Sequence, residues 1–202
     1  MAKQTNWNKF ERKLKEKRLL LFSAVDVVRV LGVSSTAATF LVHRYTKKGF
    51  LLRMKRGLYA FPDAPPSDLF LANKLCEPSY VSLEFALSYH GVIPETVYEI
   101  TSVTTKTTRR LTAAGKAFTY RRIKRAAFTG YSVQHTHGSS YQIADPEKAF
   151  VDACYLRMRS HAAPLRRFRK DKLHAAKAMQ YAKLFGNEAL VGLVVQALRE
   201  HV

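Results

Sequence analysis

Residues 23–61 read SAVDVVRVLGVSSTAATFLVHRYTKKGFLLRMKRGLYAF, and this stretch decides the N-terminal fold. Ser23 stands three residues before Asp26, an approximate capping box that opens a short helix over Ala24–Leu31, and Gly32 stops it. Ser34 or Ser35 can then accept from the free backbone amides of a second helix running to about Lys48, with Gly49 as its left-handed stop. Two helices joined by a three-residue turn containing glycine form the helix-turn-helix pattern. On the second helix Ala38, Leu41, Val42 and Tyr45 make one apolar stripe, leaving Ser35, Thr36, Thr39, His43, Arg44, Lys47 and Lys48 on the other faces. Small hydroxyls lead and cations follow, an order suited to a helix that brings hydroxyls to base edges and cations to phosphates. Alternating apolar residues on both sides of Lys55-Arg56-Gly57 then predict a β-hairpin over Phe50–Phe61 carrying Arg53, Lys55 and Arg56. A hairpin directly after a recognition helix reads as a wing, whose cations meet backbone phosphates or a minor groove.

Outward from this core, Trp7, Phe10, Leu14 and Leu21 recur at helical spacing among lysines and arginines, predicting a basic amphipathic helix from Trp7 to about Leu21. On the other side, Asp63-Ala-Pro-Pro-Ser-Asp68 can continue neither a helix nor a central strand and reads as a linker. The 202 residues carry 34 Lys+Arg against 15 Asp+Glu, a formal net charge of +19. The excess lies at the two ends: residues 1–65 hold 14 basic and 4 acidic side chains, 66–155 hold 10 and 8, and 156–202 hold 10 and 3. A field this positive favours a polyanionic partner. With 47% apolar residues the chain can bury a core, which excludes a disordered polyelectrolyte.

Cys76 and Cys154 lie far apart and form no metal-spaced cluster, so neither a disulfide framework nor a zinc module is indicated, and a reducing cytoplasm is the natural setting. The apolar run Leu19–Phe22 is too short for a signal segment or a membrane span, so no membrane association is expected.

Four stretches together resemble the AbiEi-type antitoxins of type IV toxin–antitoxin systems, also described as transcriptional regulators of viral defence. They are Leu31-Gly-Val-Ser34 with the following helix, Lys48–Phe61, Pro78–Leu87 with Gly91, and Ile143–Asp152. The resemblance implies a winged helix that binds and represses the promoter of its own operon as double-stranded DNA, with inverted repeats as the expected operator. It also implies a larger C-terminal domain that neutralises a nucleotidyltransferase-like toxin. It carries DNA contact onto Ser35, Thr36, Thr39, His43, Arg44, Lys47 and Lys48 of the helix and Arg53, Lys55 and Arg56 of the wing. The strongly cationic helix over Lys9–Arg18 departs from the family pattern. A stand-alone regulator or nucleic-acid-binding accessory protein without a toxin is the alternative reading.

The expected architecture is α+β: a winged helix-turn-helix domain over residues 1–63, then a mixed domain over 64–202 ending in helices. Within the latter, helices are expected over Asp68–Leu75 and Ser82–His90, strands near Val97–Thr105, Ala117–Lys124 and Ser140–Ile143, and a helix begun by Asp145 as N-cap and Pro146 at its first position. Asp145, Glu147, Lys148 and Asp152 tempt a nuclease reading. Lys148 directly follows Glu147, however, and a metal-dependent nuclease wants its lysine two residues after the second carboxylate. His135 and His137 lack further ligands, and Cys154 reads as a packed thiol, so no cofactor, metal or catalytic residue is expected. Lys106, Arg109 and Arg110, then Arg121, Arg122, Lys124 and Arg125, and finally Arg166, Arg167, Arg169 and Lys170 make a candidate second basic surface. It could meet DNA backbone, an acidic toxin face, or solvent alone. The last of these clusters is expected to begin a long helix continuing through Leu184, before a final apolar helix over Glu188–Arg199.

Overall fold

A computed structural model describes residues 6–136 and 139–199. The chain divides into two compact units, one ending at Ser67 and the other beginning at Asp68. The architecture is α+β, with N-terminal helices, then strands, and helices at the C-terminal end.

The first unit contains α1 (Trp7–Glu16), α2 (Ala24–Leu31), α3 (Ser35–Lys47), β1 (Leu52–Lys55) and β2 (Leu58–Ala60). The capping box forms: the Ser23 hydroxyl accepts from the Asp26 amide, and the Asp26 carboxylate accepts from the Ser23 amide at 2.8 Å. Gly32 ends α2 at φ +66°, a left-handed conformation that costs glycine little. Ser34 caps α3 by accepting from the Ala37 amide at 3.2 Å. Phe10, Leu14, Phe22, Val27, Ala38, Leu41, Val42, Tyr45, Leu51 and Phe61 make one buried cluster, to which the three helices send residues of their own and the two strands their immediate flanks, Leu51 and Phe61. Rings fix the positions further: Trp7 lies 4.8 Å from Tyr45, edge-on, and Phe10 lies 4.9 Å from it, geometries that favour aromatic pairs.

The first helix ends five residues earlier than its periodicity predicts. Lys17 caps it, Arg18 takes a left-handed φ of +52°, and Phe22 exchanges backbone hydrogen bonds with Tyr59 at 3.0 and 2.9 Å. Extended chain at Phe22 is needed for that exchange, so tertiary pairing with the hairpin overrides the helical pattern over residues 17–21.

In the second unit α4 (Asp68–Leu75), β3 (Ser79–Val81), α5 (Leu83–Tyr89), β4 (Ile100–Thr104), β5 (Arg109–Ala113), β6 (Lys116–Arg122), β7 (Tyr131–Thr136), β8 (Ser139–Ala144), α6 (Pro146–Arg159), α7 (Ala175–Lys183) and α8 (Glu188–Arg199) follow in order. Six strands form one sheet in the order β5-β6-β4-β3-β8-β7. β4 runs parallel to β6, with Ile100 opposite Phe118 and Thr104 opposite Arg122, and β3 is parallel to β8; the other pairs are antiparallel. Tyr80, Tyr120 and Phe118 of the sheet, Leu87 of α5 and Phe150 of α6 are among the fully buried side chains of this unit.

Three strands carry no alternation that a sequence reading could use. β3 is buried at all three positions, β7 is exposed or half-exposed throughout, and β5 opens with an arginine pair. The long helix expected from Arg166 through Leu184 does not form. Residues 166–169 are irregular, Lys170–Lys172 make a single 3-10 turn, and α7 begins only at Ala175. The Arg169 amide donates to the Val92 carbonyl at 2.7 Å and the His174 amide to Glu147 Oε1 at 3.0 Å. Both amides are thus taken by partners far away in sequence, which a continuous helix would forbid.

Candidate nucleic-acid interface

Burial of Ala38, Leu41, Val42 and Tyr45 fixes the rotation of α3, and the opposite faces are left open. Ser35, Thr36, Thr39, His43, Lys47 and Lys48 are all exposed. Thr36, His43 and Lys47 follow one another at seven- and four-residue steps, which places them along one stripe of the helix. The Thr39 hydroxyl donates to the Ser35 carbonyl at 2.9 Å, leaving its oxygen able to accept. Arg44 is half-buried instead: its guanidinium lies over the Tyr45 ring at 5.0 Å and donates to the Tyr45 hydroxyl at 3.2 Å.

That stripe holds one residue the sequence reading does not select. Phe40 lies between Thr36 and His43 and is 70% exposed. Its spacing from Thr36 was the available signal, masked because a phenylalanine in an amphipathic helix is normally assigned to the core.

Along β1 the pattern is exposed except at Met54, which is buried, so Arg53 and Lys55 project away from the core side. Arg53 pairs with Tyr59 and Lys55 with Leu58, which leaves Arg56 and Gly57 at the reversal. Gly57 has φ +78°, and Arg56 is exposed beside it. In the N-terminal helix the cations are partly neutralised: Lys15 pairs with Glu11 and Asp63, and Arg12 lies 3.8 Å from Glu16. The Asp63 hydrogen bond raises the Lys15 pKa above its ordinary value, and the same bond lowers that of Asp63.

Four of the eleven residues of the candidate second basic surface share one cleft. Arg121, Arg122, Lys124 and Arg125 line a single cleft of about 1390 Å³, joined there by Arg159. Lys106, Arg109, Arg110, Arg166, Arg167, Arg169 and Lys170 are outside its lining. Arg110 pairs with Glu99 at 2.9 Å and Arg169 with Asp171 at 2.8 Å. Lys124 also donates to the Phe185 carbonyl at 2.6 Å, tying the cleft edge to the end of α7.

Each member of the tempting acidic cluster is engaged in structural contacts. Asp145 caps α6 by accepting from the Lys148 amide at 2.8 Å, and its other oxygen accepts from Tyr181 at 2.7 Å. Burial, with that carboxylate, pushes the Tyr181 hydroxyl up to about 12. Glu147 accepts from the His174 amide, and Lys177 lies 3.1 Å from it. Lys148 and Asp152 form an ion pair with neither side chain exposed, and Asp152 also accepts from Tyr80 at 3.0 Å and Ser82 at 2.8 Å. Burial raises the Asp152 carboxyl above its ordinary value against the opposing pull of Lys148, Ser82 and Tyr80. Cys154 is buried and its thiol pushed up to about 12, far from a thiolate nucleophile. His135 is exposed on β7, and His137 lies outside the described residues. Among the described residues no three His, Cys, Asp or Glu side chains are placed to hold a metal ion, and no single helix is long and apolar enough to cross a membrane.

Residues 12–62 match a protein-family model described as a transcriptional regulator, AbiEi antitoxin. The match contains α2, α3 and both hairpin strands and ends before the second unit. It thus takes in Leu31–Ser34 and Lys48–Phe61, while Pro78–Leu87 and Ile143–Asp152 lie beyond it. A comparison with curated proteins found no match.

Proposed function

We propose that the first unit is a winged helix-turn-helix that binds double-stranded DNA at its own promoter, and that the chain is the autorepressing antitoxin of a toxin–antitoxin pair with a nucleotidyltransferase-like toxin. One observation carries the reading. Inside the stretch that matches the regulator family, α3 is locked by a buried stripe while its opposite stripe presents hydroxyls, an imidazole and lysines to solvent, with an exposed arginine at the hairpin reversal that follows. Thr36 and Thr39 would approach base edges, and Lys47, Lys48, Arg53, Lys55 and Arg56 would meet phosphates. Nothing in this scheme requires bond-making by the protein, and its role is that of a non-enzymatic regulator. The likeness to a transcriptional-regulator and antitoxin family over residues 12–62 supports extending this reading to autorepression and phage defence.

Variants test the division of labour. Arg53→Ala combined with Arg56→Ala should weaken binding to every duplex and reduce the salt slope by about 0.9 for each phosphate no longer neutralised. An unchanged slope removes the hairpin from the interface. Thr36→Ala should instead narrow the gap between promoter and scrambled DNA, and an unchanged ratio rejects the assigned face of α3.

Because the family match stops at residue 62, a stand-alone regulator is a second reading for the chain as a whole. Co-expression with an adjacent nucleotidyltransferase-like gene separates the two. Rescue of growth supports the antitoxin, and persistent toxicity supports the regulator alone.

A further inference from the structure

The basic cleft of the second unit is not a mere share of the high net charge. Residues 66–155 are almost balanced, with 10 basic and 8 acidic side chains, yet the cleft lining takes four cations from that stretch and a fifth, Arg159, from just beyond it, and holds no carboxylate. Carboxylates of this unit are engaged elsewhere: Asp68 with Lys116, Glu77 with Lys74, Glu84 with Arg157, Glu99 with Arg110, and Asp152 with Lys148. Arg121, Arg122 and Arg125 have no ion-pair partner among the described residues. Leaving like charges together without neutralisation costs stability, which a bound polyanion would offset.

The cleft is also built rather than incidental. It opens beyond the C-terminal ends of β4 and β6, the parallel neighbours, where crevices of α/β sheets receive ligands. One wall is the loop after β4. Thr104 donates to the Pro78 carbonyl at 2.6 Å, the Ile123 amide donates to the Thr104 carbonyl at 3.0 Å, and the Arg122 amide donates to the Thr108 hydroxyl at 3.2 Å. The facing wall is the end of α6, where the Arg159 guanidinium lies 5.6 Å over the Tyr155 ring. Thr105, Thr107 and Ser160 add hydroxyls between the cations, and Phe128 adds a half-buried ring.

We infer that this cleft binds a single strand of nucleic acid, with Arg121, Arg122, Lys124, Arg125 and Arg159 along its phosphodiester backbone. Three ligand classes fit less well. A mononucleotide would leave much of the roughly 1390 Å³ empty, since pockets for single small molecules run to about 1,000 Å³. An acidic protein face would want an exposed apolar anchor, and none of the large apolar lining residues is exposed: Tyr155 and Ile123 are buried, and Phe128 and Leu156 are half-buried. A duplex spreads its phosphates over a broad convex surface, whereas a concave groove of interleaved cations, hydroxyls and a ring is the arrangement that tracks one strand.

The test uses the full chain and a fluorescein-labelled, mixed-sequence 12-nucleotide single-stranded RNA, with the DNA strand of the same sequence in parallel, followed by anisotropy across a salt series. Arg122→Ala combined with Arg125→Ala should weaken binding at least tenfold near physiological salt and lower the salt slope by about 1.4, that is about 0.7 for each phosphate on a single strand. Arg166→Ala combined with Arg167→Ala removes the same charge outside the cleft and should change affinity less than twofold. Equal losses in the two double variants would reduce the effect to net charge and overturn the inference. So would competition by the unlabelled duplex as strong as by the unlabelled strand, or displacement by ATP at millimolar concentration. Promoter binding read in the same preparations, with and without the Arg53 and Arg56 substitutions, keeps the cleft result separate from the fate of the helix-turn-helix reading.

Discussion

Lys148→Met removes one half of an ion pair in which both side chains have no solvent exposure, and leaves Asp152 in the core without its counter-ion. Breaking a buried pair from one side costs about 3–5 kcal/mol, because the surviving charge is stripped of its counter-ion without regaining water. Tyr80 and Ser82 still donate to Asp152, at 3.0 and 2.8 Å, so the lower part of that range is expected. With a urea dependence near 2 kcal/mol per molar, a loss of about 3 kcal/mol moves the unfolding midpoint down by about 1.5 M. The readout must belong to the right unit. The single tryptophan is Trp7, in the first unit, whereas Cys76 and Cys154 are both buried in the second, so thiol labelling against urea is the assay. Adding Asp152→Asn should recover part of the loss, since the amide keeps an acceptor for Tyr80 and Ser82 and carries no charge to strand. A midpoint unmoved by Lys148→Met, or a double variant worse than the sum of the two singles, would refute the assignment of this pair as a structural unit.

Phe40→Ala should cost affinity only on DNA that carries thymine methyl groups: replacing thymine by uracil in the promoter fragment should weaken the parent protein and leave the variant unaffected, and equal sensitivity would deny Phe40 a contact in the major groove. Gly130→Ala places a Cβ at φ +76° within 2.9 Å of Tyr181 and Lys148 atoms, whereas Gly115→Ala at φ +74° meets open space. The first should destabilise the second unit well beyond the roughly 1–2 kcal/mol of the left-handed conformation that both share, and equal losses by thiol labelling would show that the contact relaxes freely. Glu147 is partly desolvated, which raises its pKa, but the His174 amide and Lys177 outweigh this and hold it below its ordinary 4.5. A carboxyl depressed by folding stabilises above its unfolded value and loses that contribution as pH falls through its folded one. Melting temperatures should therefore fall below about pH 4.5, and Glu147→Gln should start lower at neutral pH and lose less on acidification.

How much of this was legible in the sequence varies with how local its causes are. The Ser23–Asp26 box, Gly32, the Ser34 cap and the Asp145-Pro146 start were all readable, because each is set by backbone amides within one helical turn. The early end of α1 was not, because it depends on Tyr59, some forty residues away. The irregular path through Arg169 to His174 likewise depends on Val92 and Glu147 taking amides that a helix would have used. The buried pair of Lys148 and Asp152 is visible in the sequence only as a charged i,i+4 spacing, which usually marks a solvated face. Of the site, the exposed stripe of α3 followed from periodicity, while the grouping of Arg121, Arg122, Lys124 and Arg125 with Arg159 needed the sheet order and the end of α6.

The central claim is that the N-terminal unit reads duplex DNA, and the most direct measurement is anisotropy of the purified protein on the fragment just upstream of its own gene, against a scrambled duplex, across a salt series. Binding to the upstream fragment should survive physiological salt and exceed binding to the scrambled duplex by at least about a thousandfold. Equal, salt-labile binding to both would contradict the claim, reducing the +19 charge to a general grip on polyanions.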